Sequence, residues 1–544
     1  MRSATLTGLV LATIVMSSSP AVSELFFRSS AKDWGLDFRH HHGASGERYM
    51  VETMVSGVVV FDFDGDGDPD VLFIDGGALP GYTGEKARTR LFRNEGGAGF
   101  FDVTAVSGLV MEDYGSGATA GDIDNDGDLD LYLTAYYANH LWENNGDGTF
   151  SEITATALPP TETVWSASAA FSDVDRDGDL DLYVASYVDM RPDKRQQCAD
   201  QGIPIYCPPA TYTGLPDVFF RNLGQGTFED ATVAAGLSPQ EHMAGLGLAF
   251  GDLDNDGWPD LYVANDTEPN FLFHNRGDGT FEEKAFLWGT AVSERGMVEA
   301  GMGVDMGDVD GDGNLDIVVT NFEMETNALY KNTGLGLFVD SRYPLNVAES
   351  SLLSLAFGIA FADLDHDTDL DLIIANGHVR DNAELSHAES HFAQRNQLLE
   401  NEGNSRFEEA DDVGLTEVRV SRGLACGDFD LDGDLDVVIN NVADLAESYE
   451  NLGGSASGAW LQIDLVGARS NRFGIDTRLV ATVGDRQLHR EARTSSSFLS
   501  QNAMTVHFGL GSASPPVSLE VRWSSGKRQR FQQAPPSRRL QLYE

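Results

Sequence analysis

The stretch at residues 122–133, DIDNDGDLDLYL, sets aspartates at five alternate positions and then runs into apolar residues suited to a strand. Carboxylates two residues apart repel one another unless a cation sits among them, so the spacing asks for a hard divalent metal. Oxygen ligands at positions 1, 3 and 5, a backbone carbonyl at 7 and a glycine at 6 describe the opening of a calcium loop. Asp122, Asp124, Asp126, Asp128 and Gly127 hold those places. An EF-hand would close the loop with a bidentate glutamate at position 12. Position 12 is Leu133, so the ligand set closes early, at Asp130 in position 9, and a strand follows.

The pattern occurs seven times. Loop one is Asp62, Asp64, Asp66, Asp68 and Asp70. Loop two is the quoted stretch, and loop three is Asp173, Asp175, Asp177, Asp179 and Asp181. Loop four is Asp252, Asp254, Asp256, Trp258 and Asp260, and loop five is Asp308, Asp310, Asp312, Asn314 and Asp316. Loop six is Asp363, Asp365, Asp367, Asp369 and Asp371, and loop seven is Asp428, Asp430, Asp432, Asp434 and Asp436. Position 12 elsewhere is Phe73, Val184, Val263, Val319, Ile374 or Ile439, which rejects the EF-hand at every copy. Up to seven calcium ions are expected. Thr368 replaces glycine in loop six, where a β-branched side chain resists positive φ, so that loop is expected to be the weakest.

Successive first aspartates stand 51 to 79 residues apart, the period of propeller blades or other stacked units. Five residues upstream come Gly57, Gly117, Ser168, Gly247, Gly303, Gly358 and Gly423, a position that tolerates almost no side chain. Downstream a glycine turn begins at Asn94, Asn144, Asn222, Asn275, Asn332, Asn401 and Asn451, the last one cut short. Each unit reads as a strand entering a crowded centre, a metal turn, an apolar strand, and a hairpin into a further strand. The expected fold is all-β: seven four-stranded blades around an axis, with calcium on the blade loops. A linear β-solenoid would have shorter and more regular repeats.

At 41% hydrophobic residues the chain is too apolar for a disordered acidic protein. Its formal charge of −50, with 33 of 86 acidic residues in the seven loops, denies nucleic acid the basic face it needs. Residues 1–23 read as a cleavable secretory leader ending in a small-residue site, and no other stretch is long enough to span a bilayer. Cys198 and Cys207 flank a short segment in the longest inter-loop stretch, where an oxidising compartment would join them. Cys426, beside small residues on an inner strand, reads as a buried apolar thiol.

After Asn451 the loops stop, and short alternating strands mark a small β-sandwich-like domain over 456–544, behind a propeller over 24–455. Its segments NRFGIDTRLVATV, SSSFLSQNAMTVHFGLG and VSLEVRWSSGKRQRF resemble the ASPIC/UnbV domain. With HHHGASGERYMVETM before loop one, ANGHV at Asn376 and SRGLACGDFDLDGDLD at loop seven, nearly the whole mature chain resembles the cartilage acidic protein family. That resemblance implies FG-GAP or VCBS-type repeats, as in integrin α-subunits, folded as a seven-bladed calcium-bearing propeller. Asp476 and Thr477 stand where the family usually has Gly-Ala.

No nucleophile elbow, phosphate loop or zinc-helix signature is present, and carboxylates committed to calcium cannot act as general acids, so no catalytic residue is assigned. The triplet His40, His41 and His42 and the isolated His378 read as structural histidines before they read as metal or acid-base groups. The RGD at Arg276 falls inside a repeated hairpin turn, which accounts for its glycine and aspartate. The expected function is a secreted binding or adhesion module for extracellular protein or carbohydrate. The alternative is an extracytoplasmic enzyme, or a tailoring protein of secondary metabolism, with its site in the propeller cleft.

Overall fold

A computed structural model describes residues 25–544 apart from 162–163, 240–241, 335, 387, 402, 404–405, 455–457 and 513–516. The leader expected at 1–23 and the domain junction at 455/456 lie outside the described residues. Seven four-stranded antiparallel sheets carry the seven loops. Blade one is Val58–Phe61, Asp70–Phe73, Arg90–Asn94 and Phe100–Asp102, and loop one joins its first two strands. Blade two repeats this with Tyr114–Gly121, Asp130–Tyr136, His140–Asn144 and Phe150–Glu152. The innermost strands touch one another in chain order, and that of blade seven, Ser421–Gly427, touches that of blade one. The ring is therefore closed.

Closure uses the chain's beginning. Blade seven has three strands from its own repeat, and the fourth is Phe27–Ser29, paired with Glu447–Asn451. Apolar residues at alternate positions of neighbouring sheets bury one core per blade pair, such as Val59, Leu72, Leu131 and Leu133 between blades one and two. The small residue five positions before each loop marks close approach. A Cβ on Gly57 would stand 2.1 Å from the Leu499 carbonyl oxygen, and one on Gly247 2.0 Å from that of Met302.

The repeated asparagine does more than open a hairpin. Each donates its side-chain N–H to the second-position carbonyl of the preceding blade's loop: Asn144 to Phe63, Asn222 to Ile123, Asn275 to Val174, Asn332 to Leu253, Asn401 to Val309 and Asn451 to Leu364, with Asn94 reaching back to Phe429 of blade seven. These bonds measure 2.7–3.2 Å and run round the whole ring. An amide fits because it donates from one end and accepts from the other, a pairing that an apolar side chain or a carboxylate cannot supply.

The second domain has a three-stranded sheet centred on Ala459–Val466 and a four-stranded sheet of Arg486–Glu491, Arg478–Val483, Val517–Arg522 and Arg528–Ala534. Leu461, Ile463, Phe508, Leu519 and Trp523 form its core. Cys198 and Cys207 are disulfide-bonded with Cα atoms 5.2 Å apart, closing a small hairpin of Cys198–Asp200 and Ile203–Ile205. Cys426 is a buried free thiol. Among the described residues no helix is long and apolar enough to cross a membrane.

Two outcomes are expected. Asn144→Ala removes the donor from the buried carbonyls of Phe63 and Leu129, and chemical denaturation should show a loss of about 2–4 kcal/mol; a loss below about 0.5 kcal/mol would deny the staple. Cys198 and Cys207 should resist alkylation in protein isolated under oxidising conditions until a reductant is added, and free labelling of both would remove the bridge.

Candidate metal centres

The turn builds each cage by the same backbone bonds. The position 6 N–H donates to the position 1 carboxylate in all seven loops, at 2.9–3.3 Å. The position 7 N–H donates to the position 5 carboxylate at 2.8–3.0 Å. The position 9 aspartate is buried beneath, and in every blade it accepts the backbone N–H of the repeated asparagine at 2.7–2.9 Å. The same side chain thus fixes the loop and the blade's third strand.

Carboxylates at positions 1, 3 and 5 converge in loops one, three and four, and those at 1, 3 and 9 in loop two. Burial and like-charge neighbours make these groups poor anions on their own: Asp62 is pushed up to about 6, Asp122 to about 7, Asp173 to about 8 and the deeper Asp70 to about 9, burial being the largest cause. Among the described residues Asp363 Oδ1 and Asp428 Oδ1, both position 1 oxygens, are buried with no hydrogen-bond partner. Orphaned acceptors in an all-oxygen cage fit a hard divalent cation. Calcium bound there would be held by the carboxylates at positions 1, 3, 5 and 9 and by the carbonyl at 7, Trp258 in loop four included.

Position 6 has φ between 87° and 107° in the six glycine loops, and Thr368 is held at 94° in the sixth. The threonine therefore sits in the left-handed region that glycine occupies elsewhere.

The second domain lies over this face and touches every loop. Arg539 donates to the Gly67 carbonyl, the Arg472 N–H to Asn125 Oδ1, and Ser524 to Asp173. Arg478 bridges Asn255 of loop four and the Gly313 carbonyl of loop five. Arg486 pairs with Asp369, and Gln462 donates to Asp428 Oδ2 at 2.8 Å. Asp476, the departure from the family pattern, is half-buried and accepts the Asp173 N–H at 2.7 Å and the Ser172 hydroxyl at 3.0 Å.

From that domain residues 494–503 run through the axis. Thr494 Oγ1 exchanges hydrogen bonds with the Phe171 backbone, Ser497 pairs with Val304, and Ser500 Oγ and the Gln501 backbone meet Val58. Gln501 Oε1 accepts the Ala120 N–H and Asn502 Oδ1 the Cys426 N–H. The innermost strands of blades one, two, three, five, six and seven are bound in this way. Nothing in the spacing of the sequence signals this segment's place; only its family resemblance singles it out.

The histidine triplet is dispersed among separate contacts. His40 is buried and accepts the Ala443 N–H, while His41 pairs with Asp75 at 3.0 Å. His378 is 1% exposed, accepts the Arg380 N–H and packs on Phe322. Arg276 and Asp278 of the RGD bond to Glu282 and Thr280.

Comparison with known proteins follows the same division. An FG-GAP-like repeat family matches residues 62–133, 122–184, 212–263, 252–319 and 308–374, and the ASPIC and UnbV family matches 467–544. The chain belongs to the FG-GAP-repeat proteins that carry a C-terminal ASPIC/UnbV domain. Within that class it is a homologue of the cartilage acidic proteins: it is 25% identical to cartilage acidic protein 1 of Mus musculus over 87% of this chain and 70% of that protein, and 26% identical to that of Homo sapiens over 87% and 69%. Among solved structures, one titled "YCF48 bound to D1 peptide" superposes with a TM-score of 0.40 at 9% identity, covering 73% of this chain and 94% of the other.

Thr368→Gly is expected to tighten calcium at loop six about tenfold, because relieving positive φ on a β-branched residue is worth on the order of 1–2 kcal/mol. Thr368→Ala keeps a Cβ and should gain far less. Crystals at limiting calcium together with titration calorimetry decide it; a glycine variant that binds no better means the threonine is unstrained.

Proposed function

We propose that this is an exported, calcium-stabilised β-propeller that acts as a binding or adhesion module for an extracellular protein or carbohydrate. Export is supported by the leader-like residues 1–23 and by the Cys198–Cys207 disulfide. Calcium is supported by the backbone-built oxygen cages at one end of the ring.

The observation that carries the binding role is what remains uncovered. The second domain takes the loop face, and residues 494–503 take the axis, so the cleft in which a propeller enzyme would keep its site is filled by the chain itself. The opposite face carries Met297, Met324, Leu353 and Leu385, between 53% and 68% exposed, on the connections of blades four to six, Leu385 within the short helix Ala383–Ser386. A partner that buried these large apolar side chains would be a protein rather than a carbohydrate.

Chelation of protein shown to contain calcium should lower its melting temperature, each site filled to a hundred times its Kd contributing about 2.7 kcal/mol; an unchanged curve refutes a structural role for the ion. Pull-down from extracellular material should recover a partner that Met324→Lys with Leu353→Lys no longer captures. Equal capture by the variant would place binding elsewhere.

A further inference from the structure

Loop four breaks the pattern at a position that the aspartate spacing does not include. The residue just before each repeated asparagine sits on the blade's third strand. In loops one, three and five it is a permanent cation lying against the position 3 aspartate: Arg93 near Asp64, Arg221 with Nε 3.6 Å from Asp175 Oδ2, and Lys331 paired with Asp310. None of these can ligate a metal. In loops two, six and seven it is Glu143, Glu400 or Glu450, another oxygen donor. In loop four alone it is a histidine, His274, whose ring nitrogen can serve as a ligand.

The geometry around it is built. His274 Nδ1 is hydrogen-bonded to Asp260 Oδ1 at 3.0 Å, a contact that a metal would replace, and lies 3.6 Å from Asp254 Oδ2; donor atoms of these three residues all fall within 4.8 Å of one another. Two donors on one metal with bonds of 2.0–2.1 Å stand roughly 3.0–3.4 Å apart, so a small ion needs little rearrangement here. Asp260 is fully buried and anchored by the Asn275 N–H. The imidazole packs on Trp288 with ring centres 5.3 Å apart, which fixes its plane. Asp252 is half-buried and its Oδ2 accepts the Gly257 N–H, while its Oδ1, without a hydrogen-bond partner among the described residues, supplies a further acceptor at position 1 of the same loop.

We propose that loop four is a mixed nitrogen and oxygen metal site, with His274, Asp254 and Asp260 as ligands, that takes a borderline divalent ion of the zinc class in preference to calcium. Calcium selects oxygen donors, whereas imidazole suits zinc and its neighbours. The assignment stands apart from the calcium reading of the other six loops.

Full-length mature protein, stripped of metal and then held in excess calcium, is titrated with cobalt(II). One equivalent should bind with visible d–d absorption, and zinc should bleach it. Zinc-edge anomalous diffraction should place a single peak among His274, Asp254 and Asp260. His274→Gln should weaken cobalt binding at least about a hundredfold while its calcium-dependent melting stays that of the parent. If that variant fails to fold, the parent's anomalous map still decides. No cobalt uptake in calcium, an unchanged spectrum in His274→Gln, or a zinc peak away from loop four would overturn the site. Failure of the calcium reading shows separately, as melting that calcium does not change.

Discussion

Everything in this fold leans on the cost of crowding buried carboxylates at one end of each blade. Asp70 and its counterparts lie under the loop, each tied to the backbone N–H of the following asparagine, and burial makes every one of them reluctant to ionise. A bound cation would relieve that cost, and only with the turn closed, which would make metal, turn and third strand one cooperative unit. The asparagine then spends its side chain on the previous blade, so a local turn becomes a ring-wide chain of hydrogen bonds.

The second domain uses the same surface. Its contacts go to loop carbonyls and carboxylates, through Arg478, Arg486, Arg539 and Gln462, groups whose positions exist only when the loops are formed. Residues 494–503 add a second anchorage by bonding to the innermost strands at the axis. A domain held at the rim and along the axis is a structural part of the propeller.

What was legible in the sequence was what repeats locally. The position 1, 3, 5 and 9 aspartates and the glycine at 6 announce a turn within nine residues, and the glycines five residues upstream announce the axis. The family resemblance added the C-terminal domain. What was not legible depends on contacts between distant residues. The asparagine was visible as the first residue of a hairpin, but its bond to Phe63 or Phe429 spans 81 or 335 residues. Phe27–Ser29 carries no mark of belonging to blade seven, and Asp476 looked like a departure until it met the Asp173 N–H. His274 escaped notice because the loop pattern ends before the third strand begins.

The central claim is that the propeller's carboxylate cages are filled in the working protein. Native mass spectrometry of the purified chain, sprayed gently from calcium-containing buffer, counts bound divalent ions directly. Seven ions per chain are expected, one for each loop, with stepwise loss in chelator accompanied by a broader, more highly charged envelope. A compact chain that carries no divalent ion, and whose charge-state envelope does not change in chelator, would contradict it.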